Sequence, residues 1–296
     1  MNIILTGSLG NISKPLAEEL LQNGHSVTVI SSKPEKRKDI AALGAQAAIG
    51  RLEDVDFLTA TFTGADAVYC MEARASDNTL DMITYAEQLG GNYVEAIQQS
   101  GVKRVVHLSS VGAHTDKGNG VLLFHYQVEQ ILNKLPPDVA ITFMRPVGFY
   151  ANLLDFVNSI KTQGAILSNY GGEDKIMLVS PLDIAAAVAE EITTPAVGRK
   201  IRYVASEELT CNEVASILGA AIGKPDLKWI IIPDQQLLNG LLASGMNPRF
   251  AAGIVEMNAS RHSGALYEDY YRNRPTLGKV KLVDFAKEFA AVYNQG

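Results

Sequence analysis

Short apolar runs alternate with longer segments of helical periodicity through the first half of the chain. In the segment 13–23, apolar residues recur at the spacing of one face of an amphipathic helix. Apolar runs of strand length lie on either side of such segments. The predicted strands are Asn2–Leu5, 26–30, 45–49, 66–71, 104–109 and 140–144. Strands that alternate with helices form right-handed βαβ units, so the pattern predicts an α/β fold with a doubly wound parallel sheet.

The regular alternation loosens in the second half of the chain. Residues 159–175 are rich in Gly, Ser and Asn and predict a loop or a short strand. Helix-start signals follow. Ser180 stands before Pro181 as a predicted N-cap, and Thr210 and Glu213 have the spacing of a capping box. The last part of the chain therefore mixes helices with short strands.

The composition is that of a folded protein in a reducing compartment. Of the 296 residues, 47% are hydrophobic and 20% are charged, which is ordinary for a globular protein. The net charge of −6 argues against a nucleic-acid-binding surface, because such a surface needs clustered basic residues. Cys70 and Cys211 lie far apart, without the spacing of metal ligands. With no room for a signal peptide before the first strand and no membrane-length apolar run, we expect a cytoplasmic protein.

The stretch ILTGSLGNIS joins the first predicted strand to the first predicted helix. Gly7 permits a tight turn, and Gly10 lets the backbone approach a pyrophosphate at the helix N-terminus. Ser13 stands where a third glycine would complete the motif, and we expect it at the contact between helix and strand. A tight turn without a ligand is the simpler alternative, but the strand–turn–helix context favours a dinucleotide site. The predicted cofactor-binding residues of this loop are Thr6, Gly7, Ser8, Leu9, Gly10, Asn11 and Ile12.

The segment after the second strand indicates which dinucleotide is preferred. An NAD site commonly places an acid there to bind the ribose 2′-hydroxyl. This chain instead has Ser31, Ser32 and Lys33, followed by the basic run 36–38. Hydroxyl donors and positive charge suit a 2′-phosphate, although a solvated charged helix start would have the same composition. We therefore expect NADP(H) to be preferred over NAD(H).

These patterns predict two parts of the chain. Residues 1–150 form a nucleotide-binding Rossmann domain, to which 176–205 adds. Residues 151–175 and 206–296 form a small α/β lobe on the substrate side.

Five blocks of sequence occur in an order that is typical of one protein family. They are TGSLGNIS, SGVKRVVHLSSVGA (100–113), HYQVEQIL (125–132), TFMRPVGFYANLL (142–154) and PLDIAAAVAEEI (181–192). Together they resemble the NmrA-like branch of the atypical short-chain dehydrogenases, and the pattern is most similar to the NmrA-like NAD(P)H quinone reductases. The resemblance covers essentially the whole chain. It implies an NADP-favouring Rossmann domain and a small carboxyl-terminal lobe over the active-site cleft.

By this resemblance, His125 lies where isoflavone-reductase-like members carry a catalytic lysine, so it is the candidate catalytic residue. It would donate a proton near neutral pH or hydrogen-bond the nicotinamide ribose. Without the resemblance, a structural histidine on a packed helix is the simpler interpretation. No Tyr has a Lys four residues later, and Tyr126 is followed at that spacing by Gln130. The chemistry of the usual Tyr–Lys dehydrogenases is therefore not expected.

Further candidates follow the carboxyl ends of the predicted strands, where ligands bind in such sheets. Met71 and Glu72 follow the fourth strand and would border the nicotinamide through backbone contacts. Ser109 closes the fifth strand, either as a hydroxyl that faces the cofactor or as a strand-end cap. Pro146 and Phe149 follow the sixth strand and would form a wall of the nicotinamide pocket.

Two further observations limit the site. Arg51 stands where members of the resembled family usually carry Asp, so adenine recognition there is open, and Arg51 would instead help to hold a 2′-phosphate. The five histidines and two cysteines are scattered without metal-ligand spacing, so no metal site is expected.

The function predicted from these features is an NADPH-dependent reductase that transfers hydride to a quinone or a similarly flat small-molecule acceptor. The alternative is a redox sensor that binds NADP(H) without turnover and signals to a protein partner, and the missing Tyr–Lys pair favours it. The same absence argues against a sugar-nucleotide epimerase or dehydratase. The sequence leaves a homodimer open.

Overall fold

The computed structural model describes residues 1–73 and 81–295. In these ranges the strands are β1 (Asn2–Leu5), β2 (Ser26–Ser31), β3 (Gln46–Ile49), β4 (Ala67–Cys70), β5 (Arg104–Leu108), β6 (Ala140–Pro146), β7 (Gly148–Phe149), β8 (Ile166–Ser168), β9 (Lys175–Val179), β10 (Arg199–Val204), β11 (Glu207–Thr210) and β12 (Trp229–Ile231). The α-helices are α1 (Ser13–Gln22), α2 (Lys36–Ala42), α3 (Val55–Phe62), α4 (Met82–Ser100), α5 (Leu123–Leu132), α6 (Val157–Gln163), α7 (Pro181–Thr193), α8 (Cys211–Ala221), α9 (Asp234–Ala243), α10 (Pro248–Ser263), α11 (Glu268–Arg272) and α12 (Leu282–Asn294). Short 3-10 helices cover Gly120–Leu122, Tyr150–Phe156 and Ala265–Tyr267.

The described residues divide into two compact units, each built from three stretches of chain. The first unit lies within Met1–Ala113, Phe124–Arg145 and Ile184–Arg202. The second unit lies within His114–Leu123, Pro146–Asp183 and Tyr203–Gly296.

The first unit is organised by a seven-stranded sheet with the order β10-β6-β5-β4-β1-β2-β3. The pairings that join β1 to β6 are parallel. Every residue of β4, β5 and β6 is buried, as expected for strands covered on both faces. This arrangement confirms the predicted α/β fold with a doubly wound sheet.

The strand order reverses next to β1. The chain runs outward from β1 to β2 and β3, then returns to place β4 on the other side of β1. In such sheets, ligands bind in the crevice outside the carboxyl ends of the strands at this switch point. A ligand site is therefore expected at the segments that follow β1 and β4. The core beneath them includes Ile4, Val68, Tyr93 and Val105.

The second unit contains a three-stranded sheet with the order β11-β9-β7 and a parallel pair, β12-β8. Its core gathers Leu153, Ile166, Leu218, Trp229 and Phe289, among others. Helix α8 begins with the predicted capping box: the Thr210 hydroxyl accepts from the backbone of Glu213, whose carboxylate accepts from the Thr210 backbone. That prediction is confirmed.

The prediction of a loop or short strand over 159–175 is only partly right. The segment contains the short strand β8, but its start belongs to helix α6. Ile160 of this helix is fully buried, and Gly164 ends the helix with a φ of +74°. Burial of Ile160 in the core of the unit stabilises a helix that its Gly- and Ser-rich surroundings do not favour.

Candidate functional site

The loop between β1 and α1 is shaped by close contacts that exclude larger residues. Gly7 has a φ of +88°, and a Cβ added there would lie 2.6 Å from the Met71 sulfur and 2.6 Å from the Ser13 Oγ. Ser8 follows with a φ of +54°, a left-handed value that is uncommon for a residue other than glycine. The Gly10 N–H donates to the Gly7 carbonyl at 3.1 Å and closes the turn. The structure therefore forms the tight turn predicted from the glycine spacing.

The turn leaves backbone donors available at the start of α1. The N–H groups of Leu9, Asn11 and Ile12 make no hydrogen bond within the described part of the chain, and Ile12 provides no side-chain cap. The N-terminus of a helix also carries the positive end of its dipole, so this turn suits an anion such as a pyrophosphate. Ser13 is buried, and its hydroxyl donates to the Thr6 carbonyl at 2.9 Å. Its predicted place at the contact of helix and strand is confirmed.

The glycine loop is joined directly to the segment after β4. The Met71 N–H donates to the Thr6 Oγ1 at 2.9 Å, and the Thr6 N–H donates to the Tyr69 carbonyl at 3.0 Å. The Tyr93 hydroxyl holds the other side of this segment by donating to the Met71 carbonyl at 2.7 Å. Thr6, Gly7 and Met71, which the sequence analysis assigned separately, therefore lie together at the switch point of the sheet.

The end of β2 also contacts the glycine loop. The Ser8 hydroxyl donates to the Ser31 hydroxyl at 2.9 Å, and the Lys33 N–H donates to the same Ser31 oxygen at 3.2 Å. Ser31 is buried, whereas Ser32 and Lys33 are exposed. The structure thus brings together Ser8, Ser31 and the backbone of Lys33.

The basic residues after β2 are largely free of acidic partners. Lys36 pairs with Asp39 at 3.0 Å. Within residues 1–73 and 81–295, no ion pair involves Lys33, Arg37 or Lys38. Positive charge at the end of β2 therefore remains available to an anionic ligand.

Arg51 is engaged differently. Its guanidinium donates to the Glu53 carboxylate at 2.8 Å, and the Tyr85 hydroxyl donates to the same oxygen at 3.0 Å. A role for Arg51 in holding a 2′-phosphate would require it to leave Glu53 or to use its remaining donors.

A buried acid–imidazole pair lies beside the switch point. Cys70 and His107 are register partners in β4 and β5, which places the Glu72 side chain next to the His107 ring. The Glu72 Oε1 and the His107 Nε2 are 2.8 Å apart, and the two side chains are only 4% and 0% exposed. Burial raises the pKa of Glu72, but its electrostatic interaction and hydrogen bond with the His107 ring lower the pKa more, so the carboxyl is ionised at neutral pH. His107 therefore donates from Nε2 to the carboxylate.

Several polar atoms around this pair are buried without a hydrogen bond. Among the described residues, the Tyr69 hydroxyl, the Glu72 Oε2, the His107 Nδ1 and the His125 Nδ1 have no partner. Each such atom costs about 1–3 kcal/mol relative to a satisfied one. Native proteins keep few of them, and a cluster is typical of a site that binds a ligand or water.

His125 lies near this cluster on helix α5. Its ring stacks on Phe124 with the centroids 3.8 Å apart. Burial lowers the pKa of His125 to about 4, although the Glu72 charge acts in the opposite direction. The ring is therefore uncharged at neutral pH. It can hydrogen-bond a ligand, but it does not hold the proton that the sequence analysis assigned to it.

Ser109 takes part in a buried network directly after β5. Its hydroxyl donates to the Glu129 carboxylate at 2.5 Å, and the residue is 2% exposed. Arg145 binds the same carboxylate through two donors, at 2.9 and 2.6 Å. The one hydroxyl proton of Ser109 is therefore used in this buried network, and a contact of Ser109 with the cofactor stays a prediction.

Pro146 and Phe149 belong to the second unit. Pro146 is the last residue of β6, and Phe149 lies in β7 opposite Val179 of β9. Their position at a nicotinamide pocket stays a prediction.

Glu72 is predicted from the sequence only for its backbone, and His107 is not among the predicted site residues. A signal for both was present. A histidine in the strand RVVHL, which is apolar on either side, needs a polar partner if the strand is covered on both faces. An acid follows the neighbouring strand, but only the register of β4 against β5 shows that the two meet.

Other kinds of site find no support in the described residues. No group of three or more His, Cys, Asp or Glu side chains is arranged to hold a metal ion there. Cys70 and Cys211 are buried free thiols. None of the helices seen in these ranges is both long and apolar enough to cross a membrane.

Comparison with known proteins gives consistent relatives. The profile of the NmrA-like family matches residues 1–275. An NAD(P)H azoreductase from Xenophilus azovorans is 25% identical over 258 residues, which cover 87% of this chain and 86% of that protein. Among solved structures, an NADPH-dependent quinone oxidoreductase from Escherichia coli, complexed with NADPH, has a TM-score of 0.80 at 20% identity and covers 97% of this chain and 99% of its own. A triphenylmethane reductase from Citrobacter sp. has a TM-score of 0.77 at 20% identity, with 97% and 100% covered.

Proposed function

The chain belongs to the NmrA-like family, and from this premise we propose that it is an NAD(P)H-dependent reductase. More specifically, we propose that NADPH is the preferred cofactor and that the acceptor is a quinone or a similarly flat molecule. The relatives named above reduce azo compounds, quinones and triphenylmethane dyes according to their names. These acceptors share an extended conjugated system, which supports a flat acceptor here.

The observation that carries the proposal is the contact between the glycine loop and the segment after β4. The free N–H groups of Leu9, Asn11 and Ile12 would hold the pyrophosphate. Gly7 keeps the loop against Met71, so the backbone of both segments lines the switch point of the sheet. A dinucleotide placed across this point would reach β2 with one half and β4 with the other.

The preference for NADPH rests on the end of β2. A 2′-phosphate there would meet the hydroxyls of Ser31 and Ser32 and the unpaired Lys33 and Arg37. No Asp or Glu directly follows the strand, so the usual acceptor for a ribose 2′-hydroxyl is missing.

The bound cofactor would supply the hydride. Reduction of a quinone by NADPH consumes one further proton from solution and gives the hydroquinone and NADP⁺. His125 is uncharged at neutral pH, so its contribution would be to orient the acceptor or the cofactor ribose by a hydrogen bond. The proton would come from solvent, since a hydroquinone oxygen is protonated readily in water.

Binding is tested with a matched pair of glycine variants. Gly7→Ala places a methyl group against Met71 and Ser13, whereas Gly24→Ala has a similar φ of +79° and nothing within 4 Å. Both lose some stability through the left-handed backbone. In an NADPH titration, the dissociation constant of Gly7→Ala should be at least tenfold larger than that of wild type, since a displaced loop loses several hydrogen bonds. Gly24→Ala should show no such increase. Equal affinities for the two variants would contradict the assignment of this loop.

Cofactor preference is tested with Lys33→Ala and NADH as the internal control. Loss of this charge should weaken NADPH binding severalfold and leave NADH binding unchanged, because NADH has no 2′-phosphate. A wild-type protein that binds NADH as tightly as NADPH would contradict the preference.

Turnover separates the reductase from the redox sensor. NADPH absorbance is followed with a panel of quinones and azo or triphenylmethane dyes, beside the His125→Gln variant. A steady decrease in NADPH absorbance that is slower in the variant supports the reductase and a role for His125. Tight NADPH binding with no decrease in NADPH absorbance favours a sensor, as does the absence of a Tyr–Lys pair.

A further inference from the structure

The Glu72 carboxylate lies on one particular side of the proposed cofactor site. It follows β4, whereas the residues suited to the 2′-phosphate, Ser31 and Lys33, lie at the end of β2 on the other side of β1. A dinucleotide in such a sheet spans the switch point, with its adenine half toward β2. The nicotinamide half is then directed toward the carboxyl end of β4, where Glu72 is found.

The carboxylate is held in a way that keeps its charge effective. His107 binds Oε1, so one oxygen is fixed, while Oε2 has no hydrogen bond among the described residues. The side chain is 4% exposed, so water screens its charge only weakly. Burial of an ionised group without saturating its oxygens is costly, and such groups are typical of functional sites.

The two states of a nicotinamide differ in charge. The ring is neutral in the reduced cofactor and carries a positive charge in the oxidised cofactor. A buried carboxylate near the ring therefore stabilises the oxidised form relative to the reduced form. His125, which also lies in the range of the Glu72 charge, is uncharged at neutral pH and does not oppose this effect.

We propose that the Glu72 carboxylate, oriented by His107, makes the site bind NADP⁺ more tightly than it would without this charge. The same interaction stabilises the positive charge that develops as hydride leaves, so Glu72 favours the transfer of hydride to the acceptor. His107 acts as a positioning residue. This inference rests on the proposed function, because it assumes that the site holds NADP(H).

Equilibrium binding tests the proposal without any acceptor. NADP⁺ is titrated calorimetrically and NADPH by fluorescence, using the full chain and the variants Glu72→Gln, Glu72→Asp and His107→Gln. The measured quantity is the affinity for NADP⁺ divided by the affinity for NADPH. In Glu72→Gln this ratio should fall about tenfold, the order expected when one unit charge is removed from a protein interior.

The other two variants separate charge from structure. Glu72→Asp keeps the charge and should keep most of the ratio, even if both affinities fall. In His107→Gln, the amide can still donate to Glu72, so the carboxylate stays in place and the ratio should be kept. A purely structural pair would instead change the ratio in the same direction in Glu72→Gln and His107→Gln.

The outcomes also distinguish this inference from the proposed function. A wild-type ratio that is unchanged in Glu72→Gln overturns the inference and leaves the cofactor assignment intact. A wild-type protein that binds neither nucleotide overturns both. If Glu72→Gln does not fold, a fall in the ratio in His107→Gln, where the carboxylate is retained, would also overturn it.

Discussion

Two buried carboxylates in the first unit differ in how completely they are bonded. Glu129 receives two donors from Arg145 and one from Ser109, so both of its oxygens are used. Glu72 receives one donor from His107, and its second oxygen has no partner among the described residues. Both side chains are 4% exposed, so burial does not separate them. The difference supports the proposal that Glu72 acts on a ligand, whereas the fully bonded Glu129 serves the fold.

The Glu191 carboxylate, like that of Glu129, has hydrogen bonds to both of its oxygens. Its carboxylate accepts from Arg104, Thr142, Lys200 and Arg202 at 2.9–3.2 Å. Burial raises its pKa, but these hydrogen bonds and charges lower the pKa overall. Saturation of this kind makes a buried charge part of the structure.

The largest predicted effect tests the saturated network. Glu129→Gln removes the carboxylate that binds the Arg145 guanidinium, which is 4% exposed, through two of its donors. Breaking a buried ion pair from one side costs about 3–5 kcal/mol. Urea unfolding of the protein without nucleotide should show a loss of this size. A loss below about 1 kcal/mol would mean that the network is not a stabilising element, and the comparison with Glu72 would fail.

Glu191→Gln should cost less, about 2 kcal/mol. It also leaves Arg104 without a carboxylate, but Lys200 is 48% exposed and can be solvated when its partner is lost. The same urea experiment measures it. If Glu191→Gln is as destabilising as Glu129→Gln, solvent exposure of the basic partners does not determine how much each carboxylate contributes to stability.

The pH dependence of stability tests the environment of His125. An unfolded histidine has a pKa near 6.5, and burial lowers the pKa of His125 to about 4 in the folded protein. Between these values the unfolded state binds more protons, so stability rises with pH and is lost as the pH falls from about 6.5 toward 4. The ring is only half-buried, so the stability lost is about 2 kcal/mol, less than the full pKa shift would give.

His125→Gln isolates that contribution, because the other titrating groups remain. As the pH is lowered from 7 to 4.5, the free energy of unfolding of wild type should decrease more than that of the variant. Parallel curves for the two proteins would show that His125 titrates normally, and the cluster around Glu72 would then be more open to water than the structure indicates.

The parts of the fold that were predictable depend on local patterns. The apolar runs of β1 to β6 and the glycine spacing after β1 are readable from neighbouring residues, and both were confirmed. The helix at the start of the segment 159–175 was not predicted, because helix α6 is short and depends on burial of Ile160 among residues distant in the chain.

The same limit applies to the site. The hydrogen bond of Ser109 could not be predicted because its acceptor, Glu129, lies on a helix whose placement depends on the whole sheet. The pairing of Glu72 with His107 depends on the register of β4 against β5, which no local pattern sets. The glycine loop could be identified because each of its contacts lies within one βα turn or at the end of a neighbouring strand.

The smallest predicted effect completes the comparison. Glu72→Gln should change the free energy of unfolding of the nucleotide-free protein by less than about 1 kcal/mol. The amide oxygen can still accept from His107. The favourable interaction of the charge with His107 is lost, but the desolvation cost of the charge is lost with it, so the two changes largely offset. The matched substitution at Glu129 has no such compensation, because a guanidinium cannot lose its charge. Urea unfolding of the two variants side by side decides between these cases: if Glu72→Gln is as destabilising as Glu129→Gln, both carboxylates serve the fold, and a functional reason for the unsaturated pair is no longer required.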